Sequence, residues 1–354
     1  MLRSWVLPLF VVAAALLLGA APPRAAEPPR IVAIGDLHGD HDAWAAIAQA
    51  AGVIDRKGKW AGGKTTLVQL GDVVDRGPDS LKIIRDLMRL QREAPRRGGR
   101  VYVLVGNHEA MNMTNDLRYV HPGDFAAFAD RESSRRRDLV YEANKTTIEA
   151  AYRAQFPTMT PEAIRTEWLK ATPLGKVEHQ VAWSPDGEIG RWIIRNPAVL
   201  KLGDTLFVHG GISAAYALVP INEINRRVAG ALRAKDESPS SIINDPHGPL
   251  WYRGLITRQG DDETTKAPAT AAATPLTIDQ EIDLVLRSFG VKRIVVGHTP
   301  SLSGILYASG GRLWRADSAN SRAYGGTPSY LEIIGDRVTA HAIARPAGAP
   351  WEEP

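Results

Sequence analysis

The chain has 354 residues, 44% of them apolar, with 43 basic and 39 acidic side chains for a formal charge of +4, and no cysteine. Such a length and apolar share suit a packed globular protein of one large domain or two small ones. The missing cysteine excludes disulfides and any attack by a thiolate, and the near-balanced charge gives no sign of a nucleic-acid partner.

In chain order, the first element is an apolar stretch from Trp5 to Ala20, preceded by Arg3 and followed by the proline-rich APPRAAEPP. This is the pattern of a secretory signal peptide, read as residues 1–26 with removal after Ala26. The stretch falls short of the ~20 residues that span a bilayer, and Pro8 interrupts it. The remaining residues, 27–354, are expected outside the cytoplasm, in the periplasm or secreted, carrying 41 basic and 39 acidic side chains. No second spanning segment follows, so no stable membrane span is expected after cleavage, and core burial must hold the fold without disulfides.

Between Arg30 and Val105 one pattern recurs three times: a β-branched run, a glycine-bearing polar loop, then apolar residues at helical spacing. RIVAI precedes GDLHGD and a helix with Trp44 and Ile47; TTLVQL precedes GDVVDRG and a helix with Leu81, Ile84, Leu87 and Met88; RVYVLV precedes GNHE. Three such units predict an α/β fold with helices packed on the faces of a sheet. Loops at the carboxyl ends of adjacent strands meet at one sheet edge, the usual place for a ligand in such proteins.

From Pro122 the chain turns helical and charged, predicting a helical insertion at about 122–170 that acts either as a lid over the substrate or as a structural flank. Its RESSRRRD run at 131–138 reads as a solvated helix face, with a basic patch toward an anionic substrate as the alternative. Strands are expected again from Gln180 in VAW, RWIIR, AVLKLG and TLFVHGG, followed by a helix over Val219 to Ala234. A mobile loop is expected at about 257–276, a helix from Thr277 to Ser288 ahead of KRIVVGHTP, and three or four antiparallel strands between Gly304 and Ala344.

Five loops that follow apolar runs carry the chemistry: GDLHG at 35–39, GDVVDRG at 71–77, GNHE at 106–109, HGG at 209–211 and GHT at 297–299. Together they supply Asp36, His38, Asp72, Asn107, His209 and His298, a mixture of carboxylate, amide and imidazole donors that suits Mn²⁺, Fe²⁺ or Zn²⁺. Six ligands are too many for one catalytic ion with open positions, so two ions sharing the Asp72 carboxylate are expected. Any one of these loops alone would be an ordinary turn; five in compatible order are not.

On these residues the chain resembles the phosphoprotein phosphatases, a family of binuclear metallophosphoesterases whose signatures GDxHG, GDxVDRG, GNHE, HGG and a later GH all appear here in order. GPLWYRG and ADSANSRAYGG at 316–326 make the Shewanella-like protein phosphatases the most similar branch, although DSANS departs from that branch's glycine-containing form, so the resemblance assigns no role to Asp317 or Tyr324. The resemblance implies a calcineurin-like metallophosphoesterase fold, a central β-sandwich flanked by helices, within the broader α/β class. It implies that Asp36, His38 and Asp72 hold one ion while Asp72, Asn107, His209 and His298 hold the other. His108 would then be the general acid, Asp75 would orient it, and Arg76 and Arg253 would grip the phosphate.

The reaction expected on this basis is hydrolysis of a phosphomonoester, with protein phosphotyrosine ahead of phosphoserine and phosphothreonine, by in-line attack of a metal-bridging hydroxide. The cofactor would be two divalent ions, Mn²⁺ first, with Fe, Zn or Mg as alternatives. The partner would be a phosphorylated protein or peptide. A dinucleoside polyphosphate such as diadenosine tetraphosphate could be cut by the same metals, and a silent binding module could keep the fold without turnover. Against silence, the six donors, His108, Asp75 and Arg76 are all present.

Overall fold

A computed structural model describes residues 28–258 and 276–348, so the predicted signal peptide and most of the predicted loop at 257–276 lie outside the described residues. Two five-stranded mixed sheets form the centre. The first has the order β10-β9-β1-β2-β3, from β1 (Arg30–Ile34), β2 (Thr66–Gln69), β3 (Arg100–Val103), β9 (Ser329–Ile334) and β10 (Arg337–Ala342). The second has the order β4-β5-β6-β8-β7, from β4 (Val199–Leu202), β5 (Thr205–Val208), β6 (Arg293–Val296), β7 (Leu306–Ala308) and β8 (Leu313–Arg315).

Alternation along each strand explains why the sheets stack and why helices cover them. Ile31, Ala33, Val68 and Leu70 of the first sheet and its extensions meet Phe207, Val295 and Ala316 of the second in one buried cluster between the sheets. The intervening residues point outward. Val32, Ile34 and Leu67 pack with Trp44 and Ile47 of α1 (His41–Ala50) and with Ile83, Ile84 and Leu87 of α2 (Ser80–Glu93). Leu206, Val208, Ile294 and Val296 belong to the same cluster as Ile224 and Val228 of α9 (Ile221–Ala234) and Ile282 and Val285 of α10 (Ile278–Phe289). The result is the expected sandwich with helices outside.

β1, β2 and β3 run parallel to one another, and β5 runs parallel to β6. Their carboxyl ends therefore deliver GDLHG, GDVVDRG, GNHE, HGG and GHT to one edge of the sandwich, as expected of parallel strands. The four late strands are present but divided: β9 and β10 close the first sheet and β7 and β8 the second, with β8 parallel to β6.

Helices follow GNHE without a strand until β4: α3 (Asn107–Met113), α4 (Pro122–Ala126), α5 (Ser133–Gln155), α6 (Pro161–Ala171), α7 (Lys176–Trp183) and α8 (Glu188–Arg195). Two expected strands are thus corrected, because VAW lies in α7 and RWIIR in α8. In RWIIR the three central residues are all buried, so its apolar run shows neither a strand's alternation nor a helix's period. The basic run, from Ser133 onward, lies on α5, of which only Ser133 and Tyr141 are buried. Arg136 pairs with Asp130 at 2.8 Å and Arg165 with Asp138 at 2.8 Å, so this is a solvated, ion-paired face.

One buried carboxylate fastens the start of the insertion to the sandwich. Asp124 of α4 accepts from the Ser80 backbone N–H at 3.0 Å and from its hydroxyl at 2.6 Å, capping α2 from outside. Burial first, and then the Asp75 charge, push the Asp124 carboxyl up to about 8, against the pull of the Ser80 bonds. Because this folded value lies above the unfolded one, the contribution is whole below pH ~4 and lost as pH rises toward 8. The urea midpoint of the native protein, minus that of Asp124→Asn, should therefore fall from pH 5 to pH 8. A difference that rises over this range would mean that the Ser80 donors outweigh burial.

Candidate active site

The five loops place their polar side chains in a cluster that is almost wholly sealed: Asp36, His38, Asp72, Asn107, His108, His209 and His298 are all buried. Two groups of three donor atoms fall within 4.8 Å of one another, His38 with Asp72 and His108, and Asp72 with His209 and His298. Asp72 belongs to both. Asp36 joins from the side, its carboxylate 3.9 Å from His38 Nε2 and accepting the His298 backbone N–H at 3.1 Å.

Holding the donors there strains the backbone. His38, Asp72, Asp75, Arg76 and His298 all have left-handed φ, between 42° and 69°, a region L-residues avoid. Glycines supply the room around them. A Cβ on Gly106 would stand 2.2 Å from Asp72 Oδ1, and one on Gly297 would stand 2.5 Å from Asp36 Oδ1. Glu109, to which sequence reading gave no role, holds the arrangement closed by accepting the backbone N–H groups of Asp72, Val73 and Gly106, each at 2.8 Å. The local signal was its place three residues into α3, from which it reaches back to the start of the helix.

The hydrogen bonds decide where lone pairs point. Nδ1 of His209 lies 2.8 Å from the Leu70 carbonyl, which can only accept, so Nδ1 carries the proton. In the neutral ring, Nε2 then turns its lone pair toward Asn107 Oδ1 at 2.9 Å and Asp72 Oδ2 at 3.3 Å. Three acceptors facing one another repel unless a proton on Nε2 or a cation lies among them. Burial acts to lower His209, but the Asp72 charge and hydrogen bond outweigh it and raise the ring above its ordinary value. An ion here would take the place of that proton. His38 repeats the pattern, with Nδ1 on the Val74 carbonyl at 3.1 Å and Nε2 turned to Asp36 and Asp72. Burial, and then His108, lower His38 to about 3, and burial, followed by His209 and Arg253, holds His298 well below the usual imidazole range, so both rings stay neutral as metal ligands must. Burial also raises Asp36, with Asp317 and Asp72 adding to it. The donor set therefore fits divalent cations.

His108 has a different environment. Its Nδ1 is 2.6 Å from Asp75 Oδ2, and Asp75 is held in turn by the Asn112 side-chain amide at 2.9 Å. Burial acts to lower His108, but the Asp72 charge and the Asp75 bond outweigh it and leave the ring above its ordinary value. Arg76 lines the same cavity, of about 380 Å³, together with Arg253, Tyr119, Trp251, Asp317 and Tyr324. The Arg76 guanidinium lies 4.1 Å from the centre of the Tyr119 ring, and its Nε is buried with no hydrogen-bond partner, a donor free for an anion. Arg253 Nε donates to His298 Nε2 at 3.0 Å.

All ten residues singled out from the sequence thus gather at this sandwich edge, and Asp317 and Tyr324 join them from the segment after β8. That segment also cradles the first loop, since Asn320 donates to the Asp36 carbonyl at 3.1 Å and Ser321 to the His38 carbonyl at 3.3 Å. No residue from Pro122 to Arg195 lines the cavity.

The sequence matches the calcineurin-like phosphoesterase family over residues 29–302. The chain belongs to that family. It is 32% identical to Shewanella-like protein phosphatase 2 of Arabidopsis thaliana, over 88% of this chain and 77% of the relative. It is 30% identical to an uncharacterised protein of Schizosaccharomyces pombe, over 86% and 77%. A solved structure of a cold-active protein tyrosine phosphatase superposes with a TM-score of 0.62 at 26% identity, over 89% of this chain and 78% of that one. This calcineurin-like phosphoesterase is a metal-dependent phosphatase, a hydrolase of phosphoric esters.

Gly106 is the position at which the donor geometry can be tested without touching a donor. Its φ of −98° is open to alanine, so what opposes a methyl group is contact with Asp72, at Oδ1 2.2 Å and N 2.5 Å away, and with Glu109 Oε2 at 2.7 Å. Gly106→Ala should stay folded, with a loss of about 1–3 kcal/mol of stability, while bound divalent metal and phosphatase turnover both fall at least about tenfold. Metal content by mass spectrometry, read beside a thermal melt, checks this.

Proposed function

We propose that the protein is a phosphomonoesterase that acts on phosphotyrosine in proteins or peptides, with a pair of divalent ions, Mn²⁺ first, held by Asp36, His38 and Asp72 on one side and Asp72, Asn107, His209 and His298 on the other. The observation that carries this reading is the convergence of carboxylate and imidazole ligand atoms on Asp72, beside a separate His108–Asp75 pair. Ions bound among these donors would supply Lewis acidity, making water nucleophilic near neutral pH and drawing charge from the phosphoryl oxygens.

The chain's own side chains do the rest. Arg76 presents a guanidinium made rigid by Tyr119, with an unpaired Nε, and Arg253 offers a second fork from the same cavity. His108 holds its Nδ1 proton against Asp75, which leaves Nε2 to protonate the departing oxygen. A bound cation would take up much of the Asp72 charge, so Asp75 would be the partner that keeps His108 basic. The rings of Tyr119, Trp251 and Tyr324 line the same cavity, an aromatic setting that suits a phenolic leaving group. The relatives named for tyrosine phosphatase activity support this choice. Export to the periplasm or outside the cell is part of the proposal. It is supported by Arg3 and the apolar stretch from Trp5 to Ala20 that follows it.

His108→Asn should keep its metal and lose about 10² or more in turnover of an alkyl phosphate, with a smaller loss on an ester whose leaving group needs no proton. Unchanged alkyl phosphate turnover removes His108 as the acid, and loss of metal makes it a ligand instead. Assayed with added Mn²⁺, phosphotyrosyl peptides should be cut faster than phosphoseryl or phosphothreonyl peptides and faster than diadenosine tetraphosphate. A preference for the dinucleotide would replace the phosphomonoesterase reading.

A further inference from the structure

Helix α10 contributes nothing to the cavity, yet one of its side chains holds two of the segments that do. Glu281, on the first turn, is 3% exposed, and its carboxylate accepts three hydrogen bonds: from the Ala214 backbone N–H at 2.6 Å, the Tyr252 hydroxyl at 2.6 Å and the Arg258 guanidinium at 2.5 Å. Burial, and then the hydrogen bond to Glu281, raise the Tyr252 phenol far above its ordinary value, so it remains a donor at any working pH. A buried carboxylate with three donors is a fixed point, because losing any one of them leaves charge uncompensated.

Each donor continues a segment of the site. Ala214 lies five residues beyond His209, and Tyr252 directly precedes Arg253. Between these anchors the two segments are packed without slack. The Gly210 N–H donates to the Pro249 carbonyl at 2.9 Å, and a Cβ on Gly210 would stand 2.9 Å from the backbone of Leu250, Trp251 and Tyr252. A Cβ on Gly254 would stand 2.3 Å from the Tyr252 hydroxyl. Arg258 closes the turn from the other side, donating to the Gly254 carbonyl at 3.3 Å and to the Leu276 carbonyl. The orientation of the Arg253 main chain is therefore set by what holds Tyr252.

We propose that Glu281 is a positioning residue for Arg253: through the Tyr252 hydroxyl it fixes the angle at which the guanidinium enters the cavity, and through Ala214 it keeps that angle in register with the His209 loop. The inference rests on the reading of Arg253 as a phosphate-binding side chain. Glu281 itself touches neither the cavity nor the donor cluster, so breaking its bond to Tyr252 is expected to weaken phosphate affinity while the metal donors stay in place.

The test is a double-mutant cycle on the metal-loaded full chain, with kcat, KM and the inhibition constant of inorganic phosphate as readouts. Tyr252→Phe removes only the hydroxyl and leaves Glu281 its other two partners; Glu281→Gln removes the charge. In the native background each should raise KM and the phosphate inhibition constant about tenfold, with kcat falling less and metal content unchanged. In an Arg253→Ala background, which should itself weaken phosphate inhibition, Tyr252→Phe should add nothing. Losses that add in the double variant, or a Tyr252→Phe protein with native phosphate inhibition, overturn the positioning role while leaving Arg253 in place. An Arg253→Ala protein with native phosphate inhibition overturns the reading of Arg253 itself, and the proposal with it. Should Glu281→Gln fail to fold, the Tyr252→Phe arm decides alone.

Discussion

The structure is organised around the buried Asp72 carboxylate and the ligand atoms that converge on it. A carboxylate, an amide oxygen and imidazole lone pairs are held within hydrogen-bond reach of one another, away from water. In a folded protein such groups ordinarily find donors or lose their charge. Here His209 and His38 turn Nδ1 to a main-chain carbonyl, Leu70 and Val74 respectively, so their Nε2 atoms are left facing the carboxylates across a proton or a cation. Folding and metal binding are thereby coupled, and the burial that disfavours the empty cluster strengthens the attraction for an ion in it.

That constraint accounts for features that would otherwise be unfavourable. Five site residues occupy left-handed backbone conformations, and glycines flank donors where no side chain fits. Strain of this kind persists only when the surroundings determine the loop more than once. Glu109 is one such determinant, since its carboxylate joins the ends of β2 and β3 through three backbone donors at once. Burial first, and then the Asp72 charge, push its carboxyl up to about 7. The three N–H groups favour its charged form against that pressure, which ties the geometry of this clamp to the charge at Asp72.

Much of this was legible in the sequence because the chemistry is local to each loop. A glycine, a donor and a preceding apolar run stand within a few residues, and parallel strands bring such loops to one edge. What stayed hidden depends on distant pairs. Nothing near Ser80 announces Asp124, nothing near Arg76 announces that Tyr119 will lie under its guanidinium, and nothing near Arg253 announces Glu281. The strand expected at RWIIR failed for another reason. Helix α8 buries Trp192, Ile193 and Ile194 in succession, and a short isoleucine-rich run buried on successive residues carries no period by which to tell helix from strand.

The two sheets also divide the labour. The first delivers Asp36, His38, Asp72, Asn107 and His108, along with Asp75 and Arg76, from three consecutive parallel strands; the second delivers His209 and His298 and lies beside Arg253. The residues that would hold the ion assigned to Asp72, Asn107, His209 and His298 therefore come from both sheets, and their placement depends on how the sheets stack as much as on any one loop. The inter-sheet cluster around Phe207 and Val295 sets that stacking on the inside, while Asn320 and Ser321 fasten the first loop to the segment that follows β8. A side chain far from phosphate can thus matter to the reaction without touching it, provided it fixes the position of one half of the cluster relative to the other.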